Sequence, residues 1–434
     1  MQKVVRELLD FIDASPVCYY AIKSIAETLD AEGYQRLREY QPWKVVPGGK
    51  YYTTRGESAI IAFRVPKAPI VGFMMASAHS DSPTFKVRQQ AEVPSSGNTV
   101  RLSVEGYGGA IMRSWTDKPL SVAGRVFVRK GDGLESRLVN VDRDLLVIPS
   151  LAIHMNREVN KGVELKANVD MLPLFAEKES GVTLNDVVAA ACGVEKDDLV
   201  STELFLYPRT PGTCLGAGEE FVAAPRLDDL EAAFCCMKGF LAAKESASVP
   251  VLCVFNNEEV GSGTRQGADS TFLSDVLNRL TGALGMDAEA LQIALANSFM
   301  VSADNGHAVH PAHPEYADAN EFPVLNGGVV LKYNAAQKYT TDGLSGGVFC
   351  EVCRRAGAPL QRYSNRADLP GGSTLGRISV SHVSVATVDI GLPQLAMHSC
   401  YEVGGVMDVS SMISAMTTYY GCSFRRCDDS SISL

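Results

Sequence analysis

Val71-Gly72-Phe73-Met74-Met75-Ala76-Ser77-Ala78-His79-Ser80-Asp81-Ser82-Pro83-Thr84 decides the reading of this chain. A short apolar run of this kind reads as a buried strand. It ends abruptly on a histidine and an aspartate, two metal-ligand side chains. Three more places repeat that design. Glu258-Glu259 follows the run Val249–Phe255, Asp304 follows Phe299–Ala303, and His398 comes a few residues after Val383–Ile390. Helical stretches lie between these runs, one of them striped by Leu230, Phe234, Met237 and Leu241. Alternating strands and helices predict a mainly parallel sheet covered on both faces. In such sheets ligands bind at the carboxyl ends of the strands, so residues far apart in sequence converge there.

Taken singly, each piece is weak. A His-x-Asp triplet suits a surface loop, a Glu pair is usually solvated, and Asp228-Asp229 could simply cap the helix that follows. Together they place charge directly against buried runs, where unpaired charge is costly. Metal coordination removes that cost. Oxygen and imidazole ligands without thiolate suit zinc, cobalt or manganese. Five such ligands are too many for one tetrahedral zinc with an open position. They suit two ions about 3.5–4 Å apart that share a carboxylate and together lower the pKa of a water and polarise a carbonyl. Glu258, beside Glu259, is placed to take the water's proton.

The N-terminal part reads as helical. Ser15-Pro16 is a helix-start signal, Ile22, Ile25, Ala26 and Leu29 form one apolar face, and Gly33 is a stop. Ala59–Val65 and Ile70–Ala76 read as buried strands. Between Val87 and Ala217 the texture changes. Val100, Leu102 and Val104 alternate with polar residues, and Arg125–Val141 alternates around Gly131-Asp132-Gly133, a hairpin signal. The predicted architecture is therefore α/β: a mixed, mainly parallel sheet sandwiched by helices, with an inserted β-rich unit. The boundaries are 1–86 and 218–434 for the two parts of the catalytic domain and 87–217 for the insert.

Composition narrows the function classes. The 434 residues are 46% hydrophobic and 21% charged, with a net charge of -10 and no long basic block, which argues against nucleic acid as a partner. No apolar run reaches the roughly 20 residues that span a bilayer, and the opening residues lead into an amphipathic stretch without the pattern of a signal peptide. Eleven irregularly spaced cysteines suit a reducing compartment, so the expected location is cytoplasmic. Cys350-x-x-Cys353 is the one metal-like spacing and reads as buried helix cysteines. His307, His310 and His313 are separated from a helical ligand pattern by Pro311 and Pro314, and they read as structural or pocket-rim residues. His382 reads as a strand-edge residue.

Six segments carry a resemblance: Ser77–Lys86, Pro225–Leu230, Asn257–Ser262, Ser302–Asp304, His307–Pro311 and Gln394–Ser399. In order and spacing the chain resembles the aspartyl aminopeptidases from its first helix to about Tyr420. The resemblance implies that His79, Asp228, Glu259, Asp304 and His398 are the metal ligands, with Asp228 as the bridge. It implies Glu258 as the general base and Asp81 as the residue that orients His79. It implies that His154, on an inserted dimerisation domain, reaches a neighbouring subunit's active site. Lys332 is implied to be a basic residue of the substrate pocket. The implied activity is removal of N-terminal Asp or Glu from peptides with a free N-terminus, with two divalent ions, most simply zinc, in a homo-dodecamer built from dimers. Rival readings are a two-metal aminopeptidase of glutamyl or broad specificity, a related deacylase, and a non-catalytic peptide-binding relative. The first two would differ in the insert or need a pocket for a free α-carboxylate, and the last would be expected to have lost a ligand or the base. Gly108-Gly109-Ala110, Ala336 and Gly371 depart from the family pattern, and none of them is a proposed ligand.

Overall fold

A computed structural model describes residues 2–369, 371–428 and 430–434. Its centre is a nine-stranded sheet. The four middle strands, Val249–Phe255, Phe73–His79, Phe299–Ala303 and Ala386–Gly391, lie side by side and parallel. Their registers bring Phe255 opposite His79 and Ala303 opposite Ile390, so all four carboxyl ends meet at one edge. Antiparallel strands extend the sheet on both sides: Ala59–Arg64 pairs with Val249–Phe255, and Val329–Tyr333 pairs with Ala386–Gly391.

The strands are mostly apolar because both faces are buried. Met74, Ala76, Ala78, Leu252, Val254, Phe299 and Val301 enter one core, which also holds residues of the helices Gln2–Asp13, Leu227–Ala242, Gly343–Ala356 and Val406–Tyr420. Phe73, Met75, Val251, Cys253, Phe255 and Met300 enter the other, against the helices Phe272–Ala283 and Ala288–Ala296. This alternation is the two-residue period of a strand.

The insert forms its own six-stranded sheet, with strands between Thr84 and Pro208. The strands Leu120–Lys130 and Gly133–Asn140 form the hairpin at Gly131-Asp132-Gly133. Trp115 packs edge-on against Phe85 with ring centroids 5.4 Å apart. A Cβ on Gly124 would stand 1.9 Å from the Glu203 carbonyl oxygen, so only glycine lets these two strands approach so closely. Arg125 ties the insert to the central part. It donates to Glu203 at 2.5 Å and to the Gly56 carbonyl at 2.8 Å. A third sheet of five short strands includes Phe221–Ala224, Pro393–Leu395 and Glu402–Gly405.

Two local expectations need correction. The helix predicted to start at Ser15-Pro16 begins at Cys18, and its N-cap position is Val17, with no side-chain cap. Ser15 is fully buried, and its N–H is spent on the Ile12 carbonyl of the preceding turn. His382 does not lie on a strand edge. It follows the short helix Leu375–Ser379 and pairs with Asp269 at 2.8 Å. Cys350 and Cys353 both lie on the helix Gly343–Ala356, and both are free thiols. Among the described residues, no helix is long and apolar enough to cross a membrane.

Candidate metal centre

The strand ends deliver the candidate ligands to one place. His79 is the last residue of its strand, and Asp304 directly follows its own. Glu258 and Glu259 form a single tight turn after Phe255. Asp228 comes from the first turn of Leu227–Ala242, where its backbone is not helical. His398 lies on the loop after Pro393–Leu395 and has a positive φ of 67°.

Ligand atoms of His79, Asp228, Asp229 and Asp304 all lie within 4.8 Å of one another, as do those of Asp228, Glu259 and His398. Glu258 groups in the same way with His79 and Glu259. Asp228 is common to the first two groups. Its Oδ1 is 3.4 Å from His79 Nε2, and its Oδ2 is 3.3 Å from His398 Nε2. Glu259 Oε2 stands 3.5 Å from the same His398 nitrogen.

Both imidazoles are held alike. His79 Nδ1 is 3.0 Å from the Asp81 carbonyl oxygen, and His398 Nδ1 is 3.2 Å from that of Gly109. Each Nε2 faces Asp228, and with Nδ1 donating to a main-chain carbonyl, release of the Nε2 proton would give the tautomer a metal ligand needs. At His79 Nδ1 the carbonyl oxygen of Asp81, at 3.0 Å, is nearer than its carboxylate, at 3.5 Å. Its carboxylate accepts the N–H of Glu258 and of Glu259, each at 3.1 Å, and the Tyr107 hydroxyl at 2.7 Å. Tyr107 ends an insert strand, so the insert helps to hold the glutamate turn. Gly108 beside it has φ +71°, and a Cβ there would meet that of Glu259 at 3.0 Å.

Electrostatics single out the same spot. His79, Asp228 and Asp304 are at most 8% exposed, an unusual density of buried charge. Burial would raise Asp228, but hydrogen bonds from His398 and His79 hold its carboxyl below the usual range. Burial and then Asp228 drive Glu259 well up. Glu258 is pushed up to about 8 by burial and by Asp304, Asp81 and Asp228, against the opposing pull of His79. Asp229 Oδ1 and Glu259 Oε1 are buried without a hydrogen-bond partner. Packed carboxylates with orphaned oxygens are what a cation would satisfy. The oxygen and nitrogen donors suit zinc.

Asp229, Asn305, Tyr107 and Glu402 belong to this framework, although the sequence reading assigned none of them a role here. Asp229 Oδ2 accepts the His79 N–H at 3.1 Å. Asn305 Nδ2 donates to the Leu227 carbonyl at 3.1 Å, linking the Asp304 strand end to the Asp228 turn. Glu402 accepts the N–H of Asp228 and of His398. Adjacency to ligands was the one signal available for Asp229 and Asn305.

Lys332 is 2% exposed. Its Nζ donates to the Asn305 carbonyl at 2.9 Å and lies 3.9 Å from Asp304 Oδ1, with the Tyr339 ring below it. His307 and His310 line a cavity of about 360 Å³ together with Tyr363, Gln394 and Ala396. Burial and then Lys332 keep the His307 ring on the neutral side. His154 belongs to none of the ligand groups. It is exposed on an insert loop, between Ile153 and Met155, which are 48% and 78% exposed.

Comparisons with known proteins identify the family. Residues 11–420 match the family model described as aminopeptidase I zinc metalloprotease (M18). The chain is 42% identical to the probable M18 family aminopeptidase 2 of Clostridium acetobutylicum, covering 96% of this chain and 98% of that protein. It is 38% identical to its namesake from Pseudomonas paraeruginosa, over 96% and 97%. Among solved structures, a chain of the cryo-EM structure of the Ape4 and Nbr1 complex superposes with a TM-score of 0.92 at 34% identity, covering 96% of this chain and 85% of that one. The S. cerevisiae mApe1 dodecamer superposes at 0.84 with 28% identity, over 96% of each chain. The chain belongs to the M18 family and is a metallo-aminopeptidase of that family, a hydrolase of peptide bonds.

Proposed function

We propose that this chain removes acidic N-terminal residues from peptides, using two divalent ions held around Asp228. The observation that carries the reading is the split of the Asp228 carboxylate, one oxygen toward His79 and the other toward His398. His79, Asp228 and Asp304 would hold one ion, and Asp228, Glu259 and His398 the other. Each set has three protein ligands, which leaves a position open for water or substrate. Zinc fits the donor set and the family description, and cobalt or manganese are alternatives. When bound, the pair supplies Lewis acidity toward a water and the scissile carbonyl. Glu258 takes the water's proton on its carboxylate and passes it to the leaving amine. A carboxylate of the cluster pairs with the substrate's free α-amine.

The acidic side chain of the substrate needs a cation, and Lys332 is the lysine buried against the centre. Its Nζ donates to the Asn305 carbonyl and lies 3.9 Å from Asp304 Oδ1, so a substrate carboxylate would share the remaining charge with Asp304. A charged hydrogen bond to substrate contributes about 1.5–3 kcal/mol. The wild-type enzyme should hydrolyse Asp-p-nitroanilide better than the Leu compound, and zinc chelation should abolish both activities. Lys332→Met should lower kcat/KM for Asp and Glu substrates roughly 10–150-fold and leave Leu substrates nearly unchanged. An equal loss on all substrates would assign Lys332 to the support of Asp304, and the acidic preference would need another source.

We further propose a homo-dodecamer built from dimers, with His154 of one subunit completing the site of another. The exposed apolar residues around His154 support a covered loop, and a solved relative is a dodecamer. Mixed oligomers of His154→Ala and Glu258→Gln subunits, each inactive alone, should recover activity because some sites would be whole. No recovery in verified mixed oligomers would count against a shared site. Eleven free cysteines suit the reducing cytoplasm.

A further inference from the structure

Glu402 is 1% exposed and opens the strand Glu402–Gly405. That strand pairs antiparallel with Phe221–Ala224, with Glu402 opposite Ala224, four residues before Asp228. His398 lies four residues before Glu402 on the other side. The carboxylate thus stands where the chain segments carrying two candidate ligands come together. It divides its oxygens between them: Oε2 accepts the Asp228 N–H at 3.0 Å, and Oε1 accepts the His398 N–H at 2.7 Å.

Neither ligand sits on regular backbone. Asp228 has φ -81° and ψ 105° inside the first turn of its helix, and His398 has φ 67°. A non-glycine residue in the left-handed region persists only where its surroundings hold it. Regular helix or sheet pairing does not fix either residue; the His398 carbonyl accepts the Ile111 N–H at 2.9 Å and the Asp228 carbonyl accepts the Ser82 hydroxyl at 2.8 Å, while both main-chain N–H groups are held by a side chain. Asp81 does the same for Glu258 and Glu259, and Asp229 for His79. Glu402 differs from both. Its two bonds join ligands from separate segments of the fold, the helix start and the late loop.

We infer that Glu402 is a positioning residue that sets the spacing of Asp228 and His398, and through it the shape of the site those two ligands share. This rests on the reading of the centre as a metal pair. Glu402 belongs to none of the ligand groups and acts through the two main-chain N–H groups. A glutamine there keeps the volume but turns a donor amide toward one of two N–H donors. One of the two bonds must then be lost.

The test uses the full-length metal-free protein titrated with zinc against a chelating indicator, and the cobalt-substituted protein read by its visible absorption. Glu402→Gln should fold and weaken zinc at the His398 site roughly 10–100-fold, the range typical for partners that orient metal ligands. The cobalt spectrum should change, which a purely structural role would not produce. Glu231→Gln removes another fully buried carboxylate, one that accepts from Asn305 and is bonded to neither Asp228 nor His398, and should leave zinc affinity as in the wild type. If Glu402→Gln does not fold, Glu402→Asp retracts both oxygens by one bond while keeping the charge, and it should weaken the same site. Wild-type zinc affinity and cobalt spectrum in the folded variant would overturn the inference. So would equal weakening by Glu231→Gln. A wild-type protein that binds only one zinc per chain would instead sink the two-metal reading, so the two failures are distinguishable.

Discussion

Glu258→Gln should retain its full complement of metal and lose about 10²–10⁴-fold in kcat, the usual contribution of a general base. The loss corresponds to roughly 2.7–5.5 kcal/mol of transition-state stabilisation. Geometry makes the separation clean. The turn that carries Glu258 is held by its main chain, since the N–H groups of Glu258 and Glu259 both end on Asp81. Gln keeps those bonds and the side-chain volume, so Glu259 should stay in place as a ligand. The substitution removes only the ability to accept a proton. Glu258 is well poised for that task. Its carboxyl is pushed up to about 8 by burial and by Asp304, Asp81 and Asp228, against His79. Cations among those carboxylates would pull it back down. A base is most effective when its pKa lies near the working pH. Metal analysis of the purified variant, together with kcat on an Asp-linked substrate, checks both halves. Full metal content with near-normal kcat would remove Glu258 from the role.

The parts of this molecule that could be read from its sequence are those where burial is complete. Val249–Phe255 and Phe299–Ala303 are read to the residue. Both faces of those strands are covered, so nearly every position is apolar, Ser302 excepted, and the run ends sharply where the charged site begins. Ends set by other chemistry are less legible. The run from Val383 to Ile390 becomes a strand only at Ala386. Val383 packs in a core cluster from a turn, and hydrophobicity alone does not distinguish that from a strand. Ser15 has the composition of a cap but is consumed by the turn before it. Among the site residues, those that follow an apolar run stand out by contrast, whereas Asp229 looks like an ordinary helix-capping acid. The actual N-cap position is Arg226, with φ 61° and no side-chain cap, which frees Asp229 to bind the His79 N–H. Glu402 has no local contrast, and only the pairing of its strand with Phe221–Ala224 brings it to the centre. Lys332 was legible as an anomaly, a charge in an apolar strand. The ion pair with Asp304 that resolves the anomaly depends on sheet order.

Asp228→Ala should have the largest effect on metal content of any substitution in this protein. Asp228 is 3% exposed, and each of its oxygens faces a different imidazole at 3.3–3.4 Å. Removing one of three ligands from both sets at once leaves two protein donors per ion, fewer than the three that catalytic zinc sites generally keep. Both affinities should therefore fall by more than the 10–100-fold typical of partners that only orient ligands. His79→Ala and His398→Ala should each loosen one site more than the other, because each imidazole belongs to one set. Asp229→Ala is the informative neighbour. Asp229 Oδ1 is buried without a partner, and the residue groups with His79, Asp228 and Asp304, so on proximity alone it could replace Asp228. It is absent, however, from the group that holds His398 and Glu259. If Asp228 is the bridge, Asp229→Ala should weaken at most the His79 site and leave the His398 site filled. Metal stoichiometry after dialysis against a chelator, measured on all four variants, decides the matter. Two tightly held ions in Asp228→Ala would move the bridge elsewhere, and Asp229 would be the first residue to re-examine.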